Sequence, residues 1–396
     1  MKTLKIFPVL LACYEMLAYL SNDMYLPALP QMTTALSTTP LLTQMSLTTW
    51  FLGAVSMQLG LGPLSDKYGR KPILLWGGLV FVIATLMCAF TSNIYILLIA
   101  RFFQGCAVCS VAVAGYAAIH ELYDQKEAMK TLALMGSITV LAPAFGPLLG
   151  SVVLKLLSWR DIFGLLAILA IVVLSMLYKW MPETLAPEKR HPIEMKTIKH
   201  HYSTVIKNKN FMLTASAFCA TFSAMIAWIA MGPFLVIDAF HYSPFMFGVF
   251  QAMVFGSFII GTRCVNLGLS HFKPTKLIHI AVYMNLFGAT LSLIFALAFQ
   301  QTLLCFIIAL MIFAFSSALS FAPLQRLAIE ASAAPMGARM AILSSMMSGS
   351  GTIGSLAAGY FYFGTPVSLA CITFISALAA LGCVRYREIH RTELNV

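Results

Sequence analysis

The chain has 396 residues, 60% of them hydrophobic and only 10% charged, with a formal net charge of +11. So few charges cannot cover a water-soluble globule of this size, which excludes a soluble enzyme or cytosolic binding module and implies an all-α polytopic membrane protein. The positive excess is spread over alternate connections instead of one patch, so it argues against a nucleic-acid partner.

Hydrophobic segments long enough to span are predicted in chain order at 6–29, 42–64, 72–91, 94–119, 130–155 and 159–181, then at 211–236, 244–268, 275–298, 302–328, 338–362 and 365–385. The first carries Glu15 and Asp23 and lacks a small-residue cleavage pattern, so it reads as a permanent span and not a signal peptide. Lys and Arg crowd the N-terminus, the 66–71 turn, 126–130, 189–209, 273–276 and the tail, while 30–41, 91–93, 238–243, 299–302 and 363–366 have none. By the positive-inside rule twelve spans have both termini in the cytoplasm. The long polar interval 182–209, rich in Pro, Lys, Arg and His, reads as a cytoplasmic linker between an N-terminal six-helix half at 1–181 and a C-terminal half with a short tail at 210–396. Paired halves around a central cavity are a recurrent transporter plan.

The segment from Tyr14 to Met24 places Glu15 and Asp23 inside a span. A charge at the bilayer centre costs at least about 2.5–3.5 kcal/mol, so each is a functional-site candidate. Glu15, Tyr19 and either Asn22 or Asp23 recur at helical spacing as one polar stripe. Counting about 1.5 Å per residue, Arg101 in the fourth span is level with Asp23, which predicts that the two interact directly or through water, whereas Glu15 has no partner at its own depth. A cavity whose contents change can move such acids between charged and neutral forms. Arg263 is expected to snorkel, Arg326 and Glu330 to pair at i,i+4, and Asp238, His241 and His279 to be solvated. The nine cysteines are read as small buried hydrophobes, with no disulfide framework or metal site. No HExxH, GxSxG or Walker loop is present, which disfavours an enzyme and nucleotide-driven pumping and leaves no cofactor, only an ion gradient, as the energy source.

Between the second and third segments stands GPLSDKYGRKP, Gly62 to Pro72, which resembles the loop signature of the major facilitator superfamily. Gly62 and Gly69 are expected to allow tight turns, Arg70 and Lys71 to hold the loop inside, and Asp66 to offer a carboxylate at the bundle edge. RFFQG, Arg101 to Gly105, is similar to that superfamily's fourth-span signature. APAFGPLLG, with Pro143, Gly146, Pro147 and Gly150, is similar to its antiporter signature. With YExxxYxxNDM, GYAAIxE (Gly115 to Glu121), AWIA (Ala227 to Ala230), WRDIF and MPET, the resemblance extends over nearly the whole chain and is strongest to the MdfA-like multidrug facilitators, near the Bcr and CflA exporters.

The resemblance implies twelve helices in two halves and drug:proton antiport by alternating access across a bacterial cytoplasmic membrane, with lipophilic small molecules, protons and membrane lipids as partners and a functional monomer. It implies that Glu15 and Asp23 respond to protons with Arg101 as modulator, and that Gly62, Asp66, Gly69, Arg70 and Lys71 form a conformational latch. It also implies a cavity lined by Tyr19, Asn22, Leu47, Trp50, Gln104, Val108, Tyr116, Thr139, Ile226 and Ile229, where Trp50, Val108 and Thr139 depart from the expected residue types. A dedicated exporter of one metabolite or siderophore is the alternative, ahead of a symporter or a transporter-like sensor.

Overall fold

A computed structural model describes residues 2–190, 194–299 and 302–393, except the side chains of 2–5, 129, 130, 133, 134, 137–139, 189 and 389–393. The long helices are α1 (Lys2–Asp23), α2 (Pro40–Gln58), α3 (Arg70–Phe90), α4 (Ile94–Leu122), α5 (Gln125–Val153) and α6 (Trp159–Trp180). They continue as α7 (Lys209–Ala239), α8 (Pro244–His271), α9 (Pro274–Ala298), α10 (Leu303–Glu330), α11 (Met336–Tyr360) and α12 (Pro366–Glu393).

Their starts follow local chemistry. Thr39, Asn93, Asp124, Asn208 and Ser243 each accept a hydrogen bond from a backbone N–H of the first turn that follows, and Ser158 with Asp161 forms a capping box ahead of α6. Pro40, Pro244, Pro274 and Pro366 occupy first helical positions, where the missing N–H has no intrahelical partner to lose.

Among the described residues, eight helices are long and apolar enough to cross a membrane: α3, α4, α6, α7, α8, α9, α10 and α12. The other four expected spans, α1, α2, α5 and α11, are also long helices. Polar or small residues interrupt three of them: Glu15, Asn22 and Asp23 in α1, Thr43, Gln44, Ser46, Thr48 and Thr49 in α2, and the Ser- and Gly-rich run of α11.

Three elements differ from expectation. The first span ends at Asp23, because Pro27 and Pro30 cannot continue the ladder; the chain proceeds through a buried 3₁₀ turn, Leu26–Ala28, into Leu29–Ala35. The expected 66–71 turn is narrowed to Gly69, between the short helix Leu61–Tyr68 and the start of α3 at Arg70, so Gly62 lies within a helix and makes no turn, whereas Gly69, with φ +103°, takes a conformation that favours glycine. Within 182–209, residues Met195–Lys207 form a helix with only Val205 buried.

The chain divides into two compact units, Met1–Glu194 and Met195–Val396. In the first, α1 packs on α5 and α6, α2 on α4, and α3 on α4 and α6. In the second, α7 packs on α11 and α12, α8 on α10, and α9 on α10 and α12. These five neighbour pairs repeat with a shift of six helices, as an internal duplication requires, while α7 also packs on α10 where α1 and α4 meet much less extensively. Small residues permit the closest crossings: a Cβ on Gly105 would lie 1.9 Å from the Trp50 carbonyl oxygen, and one on Gly354 would lie 2.2 Å from that of Ser223.

Candidate functional site

Glu15, Asp23 and Arg101 are the buried charged side chains among the described residues, and all three belong to the first unit. Arg101, on α4, is completely buried. Of the interaction expected between Asp23 and Arg101, directly or through water, the direct ion pair is not formed. Instead Arg101 donates through Nη2 to Asn22 Oδ1 at 2.8 Å, and through Nη1 to Gln104 Oε1 at 2.6 Å and to the Ser21 carbonyl at 3.0 Å. Its Nε donates to the Ser46 carbonyl at 3.3 Å, and its guanidinium lies 4.6 Å from the centre of the Tyr25 ring. The physical reason is azimuth. Adjacent residues point about 100° apart on a helix, so only one of Asn22 and Asp23 can meet α4.

Asp23 instead meets α5. A Cβ on Gly146 would lie 2.7 Å from Asp23 Cβ, and one on Gly150 would lie 1.7 Å from the Met24 carbonyl oxygen. Two glycines of the antiporter-like run therefore seat the end of α1, with Pro143 and Pro147 inside the same helix.

The polar layer around Arg101 continues sideways. Gln104 Nε2 donates to Thr85 Oγ1 at 2.8 Å, and Thr85 caps the Phe81 carbonyl at 2.6 Å. Tyr25 OH and Ser46 Oγ share a hydrogen bond of 2.8 Å. Both ends of the Gln104 amide, expected in the cavity wall, are thus engaged within the protein, and the residue is completely buried. Tyr25, Ser46 and Thr85 were not singled out from sequence; Ser and Thr are common packing residues in spans, and their only signal was polarity at the depth of Arg101.

Glu15, one further step into α1, does have a partner. Tyr116 OH donates to Glu15 Oε1 at 2.7 Å, while Glu15 Oε2 is buried with no hydrogen-bond partner. A π-helical turn over Val111–Gly115 precedes Tyr116. Such a turn adds a residue and shifts the phase of the helix beyond it, so α4 presents Arg101 and Tyr116 to α1 at two separate levels. Tyr19 lies between the acids on α1, its ring 6.4 Å from that of Trp50.

The other expected cavity residues are distributed as follows. Leu47, Trp50 and Val108 are buried in the first unit and Ile226 and Ile229 in the second; Tyr19 and Tyr116 keep part of their surface; the Thr139 side chain lies outside the described residues.

The loop signature builds a second cluster at the other end of the first unit. Arg70 bonds Asp66 at 2.6 Å and Glu121 at 3.0 Å, and the Glu121 carboxylate also takes the Thr184 hydroxyl. Glu183 Oε1 accepts the backbone N–H groups of Arg70, Thr184 and Leu185, each at 3.0 Å. MPET at the end of α6 and GYAAIxE at the end of α4 are thereby tied to the 62–72 signature, while Lys71 lies with its Nζ 5.6 Å from the Tyr178 ring centre. Elsewhere, Arg326 and Glu330 pair at 2.7 Å as expected, Arg263 is exposed, and His279 is hydrogen-bonded to Glu388 instead of being simply solvated.

The model of the Major Facilitator Superfamily matches residues 11–335. The chain is 31% identical over 333 residues to the multidrug transporter MdfA of Edwardsiella piscicida, covering 84% of this chain and 81% of that one. It is 29% identical over 338 residues to the multidrug resistance protein MdtM of Salmonella typhimurium, covering 85% and 82%. Its fold is similar to that of the xylose transporter XylE from E. coli, with a TM-score of 0.73, 13% identity and coverage of 96% and 97%.

Proposed function

This chain belongs to the Major Facilitator Superfamily, and on that premise we propose that it exports lipophilic small molecules in exchange for protons by alternating access. The observation that carries this reading is Glu15: a buried carboxyl with one oxygen held by Tyr116 and the other unpartnered, in the same helix as Asp23, with the buried Arg101 at a separate level of α4 and in no direct ion pair with either acid. A carboxyl so placed exchanges its proton when its surroundings change, and Arg101 is a fixed positive charge against which that exchange is set. Relatives bearing the names multidrug transporter and multidrug resistance protein support drugs as the cargo.

In this reading Glu15 and Asp23 are the proton-responsive acids and Arg101 their modulator. Tyr19, Asn22, Leu47, Trp50, Val108, Tyr116, Ile226 and Ile229 offer aromatic and aliphatic surface to substrate, backed by Gln104, with Thr139 assigned by resemblance alone. The glycines and prolines of α5 form the antiporter element. Asp66, Gly69, Arg70 and Lys71, with Gly62, are the latch that rearranges as the carrier opens and closes. Twelve spans in two halves, both termini in the cytoplasm, a bacterial inner-membrane location and a functional monomer complete the proposal.

The test is a double replacement. Glu15→Gln with Asp23→Asn, purified and reconstituted, is expected to remain folded yet lose substrate-driven proton movement and gradient-driven accumulation of a lipophilic cation. Coupling at the wild-type level in that variant would overturn the proposal.

A further inference from the structure

In the second unit, Gln251 of α8 is completely buried, and neither its Nε2 nor its Oε1 has a hydrogen-bond partner. It is also the one polar side chain among the buried residues of that helix, where it lies in a face formed by Phe247, Phe250, Val254, Phe255 and Phe258. An amide has no packing advantage over Leu or Met in such a face, and leaving its donors and acceptor unmade is a standing cost. A second unpartnered group lies on α7. Trp228 of α7 is 1% exposed and its Nε1 has no partner either.

These two groups share a neighbour. The Trp228 ring centre is 6.3 Å from that of Phe247, and a Cβ on Gly232 would touch both rings. Gln251 follows Phe247 by four residues, one helical turn along the same face of α8. The face of α8 that meets Trp228 therefore carries, one turn on, a side-chain amide able both to donate and to accept. Ile226 and Ile229 flank Trp228 on α7, and both are buried. The set is uncharged: two hydrogen-bonding groups within aromatic and aliphatic surroundings.

Building on the exporter reading, we infer that Trp228 and Gln251 form a specificity subsite for an uncharged hydrogen-bonding group, an amide, carbonyl or hydroxyl, of a lipophilic substrate. A neutral donor–acceptor pair in an apolar wall discriminates by the polar group it would otherwise leave unmade, and it adds nothing for a ligand lacking such a group. Recognition of uncharged compounds then depends on this subsite, while a lipophilic cation depends on the acids of the first unit.

The experiment uses the purified full chain and two probes: chloramphenicol, uncharged and carrying an amide and hydroxyls, and tetraphenylphosphonium, a lipophilic cation with no hydrogen-bonding group. Gln251→Met keeps side-chain volume and is expected to weaken chloramphenicol binding about tenfold, as loss of well-formed hydrogen bonds does, and to leave tetraphenylphosphonium within about twofold of wild type. Trp228→Phe, which removes the N–H and keeps an aromatic ring, is expected to act in the same direction by about threefold. Wild-type affinity for chloramphenicol in both variants, or an equal loss of both probes, would overturn the inference. Failure of the wild-type protein to bind either probe would overturn the exporter reading and this subsite with it.

Discussion

Where α1 and α4 meet in the first unit, the protein buries the guanidinium of Arg101, with the carboxyls of Glu15 and Asp23 along α1; the corresponding helices of the second unit, α7 and α10, bury no charged side chain among their described residues. What they bury is apolar or neutral, with Trp228, Ser316, Ser317 and Ser320 the most polar groups beyond the hydroxyls of Thr214 and Thr221. Yet five of the helix pairings are the same in both units. Helix packing in a membrane depends on shape, and shape leaves the chemistry of the interior free. One unit has kept the shared architecture as a housing for charge, and the other as an apolar and amide-bearing wall.

The largest effect that could break this comparison comes from Arg101. Arg101→Ala removes the donor to Asn22, Gln104 and the carbonyls of Ser21 and Ser46 at once. Leaving those acceptors buried without a partner is expected to cost on the order of 3–5 kcal/mol, read as a large fall in melting temperature in detergent. Arg101→Lys keeps the charge but lacks the planar fork, so it is expected to recover only part of the loss. A variant without Arg101 that melts as wild type would show that the charged layer is not structural.

Glycine substitutions sharpen the contrast, because they test what the units share. Gly105→Ala would drive a methyl into the Trp50 carbonyl, and Gly354→Ala one into that of Ser223. Similar losses of about 1–3 kcal/mol are expected from each, with proton coupling retained in whatever folded protein remains. If only the first were damaging, the packing equivalence of the units would fail.

Much of the fold was legible in the sequence because its signals are local. Hydrophobic length placed most helices within a few residues, at boundaries that the fold then shows capped by residues such as Asn93 and Asp124. The site was legible at the level of depth and not of direction. The rise per residue correctly put Arg101 opposite the end of α1, but nothing local could show that Asn22, and not its neighbour Asp23, turns toward it. The Tyr116–Glu15 bond depends on the π-helical turn at Val111–Gly115, which follows no rule readable from those five residues. The clamp by Glu183 was hidden for another reason: it joins segments 113 residues apart, and only the closed fold brings them together.

Tyr116→Phe should sharpen the division further, at a smaller scale. It leaves the ring and removes the hydroxyl that holds Glu15. About 1 kcal/mol of stability is expected to go, while proton release on substrate binding changes from wild type. Unaltered proton release would separate Glu15 from the coupling step.

The smallest effect is expected on the other side of the comparison. Ser317 of α10 donates to Asn285 Oδ1 at 3.0 Å and is also within 2.8 Å of the Phe313 carbonyl, the two bonds sharing one hydroxyl. Ser317→Ala leaves that carbonyl in its helical ladder and frees only the Asn285 oxygen, so a loss of about 1 kcal/mol or less is expected in the melting transition. Because no ionisable group is buried near it in α9 or α10 among the described residues, proton release and its pH dependence should match those of the wild type. A change in proton stoichiometry or in the pH profile of Ser317→Ala would mean that the second unit takes part in proton handling through neutral hydrogen bonds, and the assignment of charge to the first unit alone would have to be abandoned.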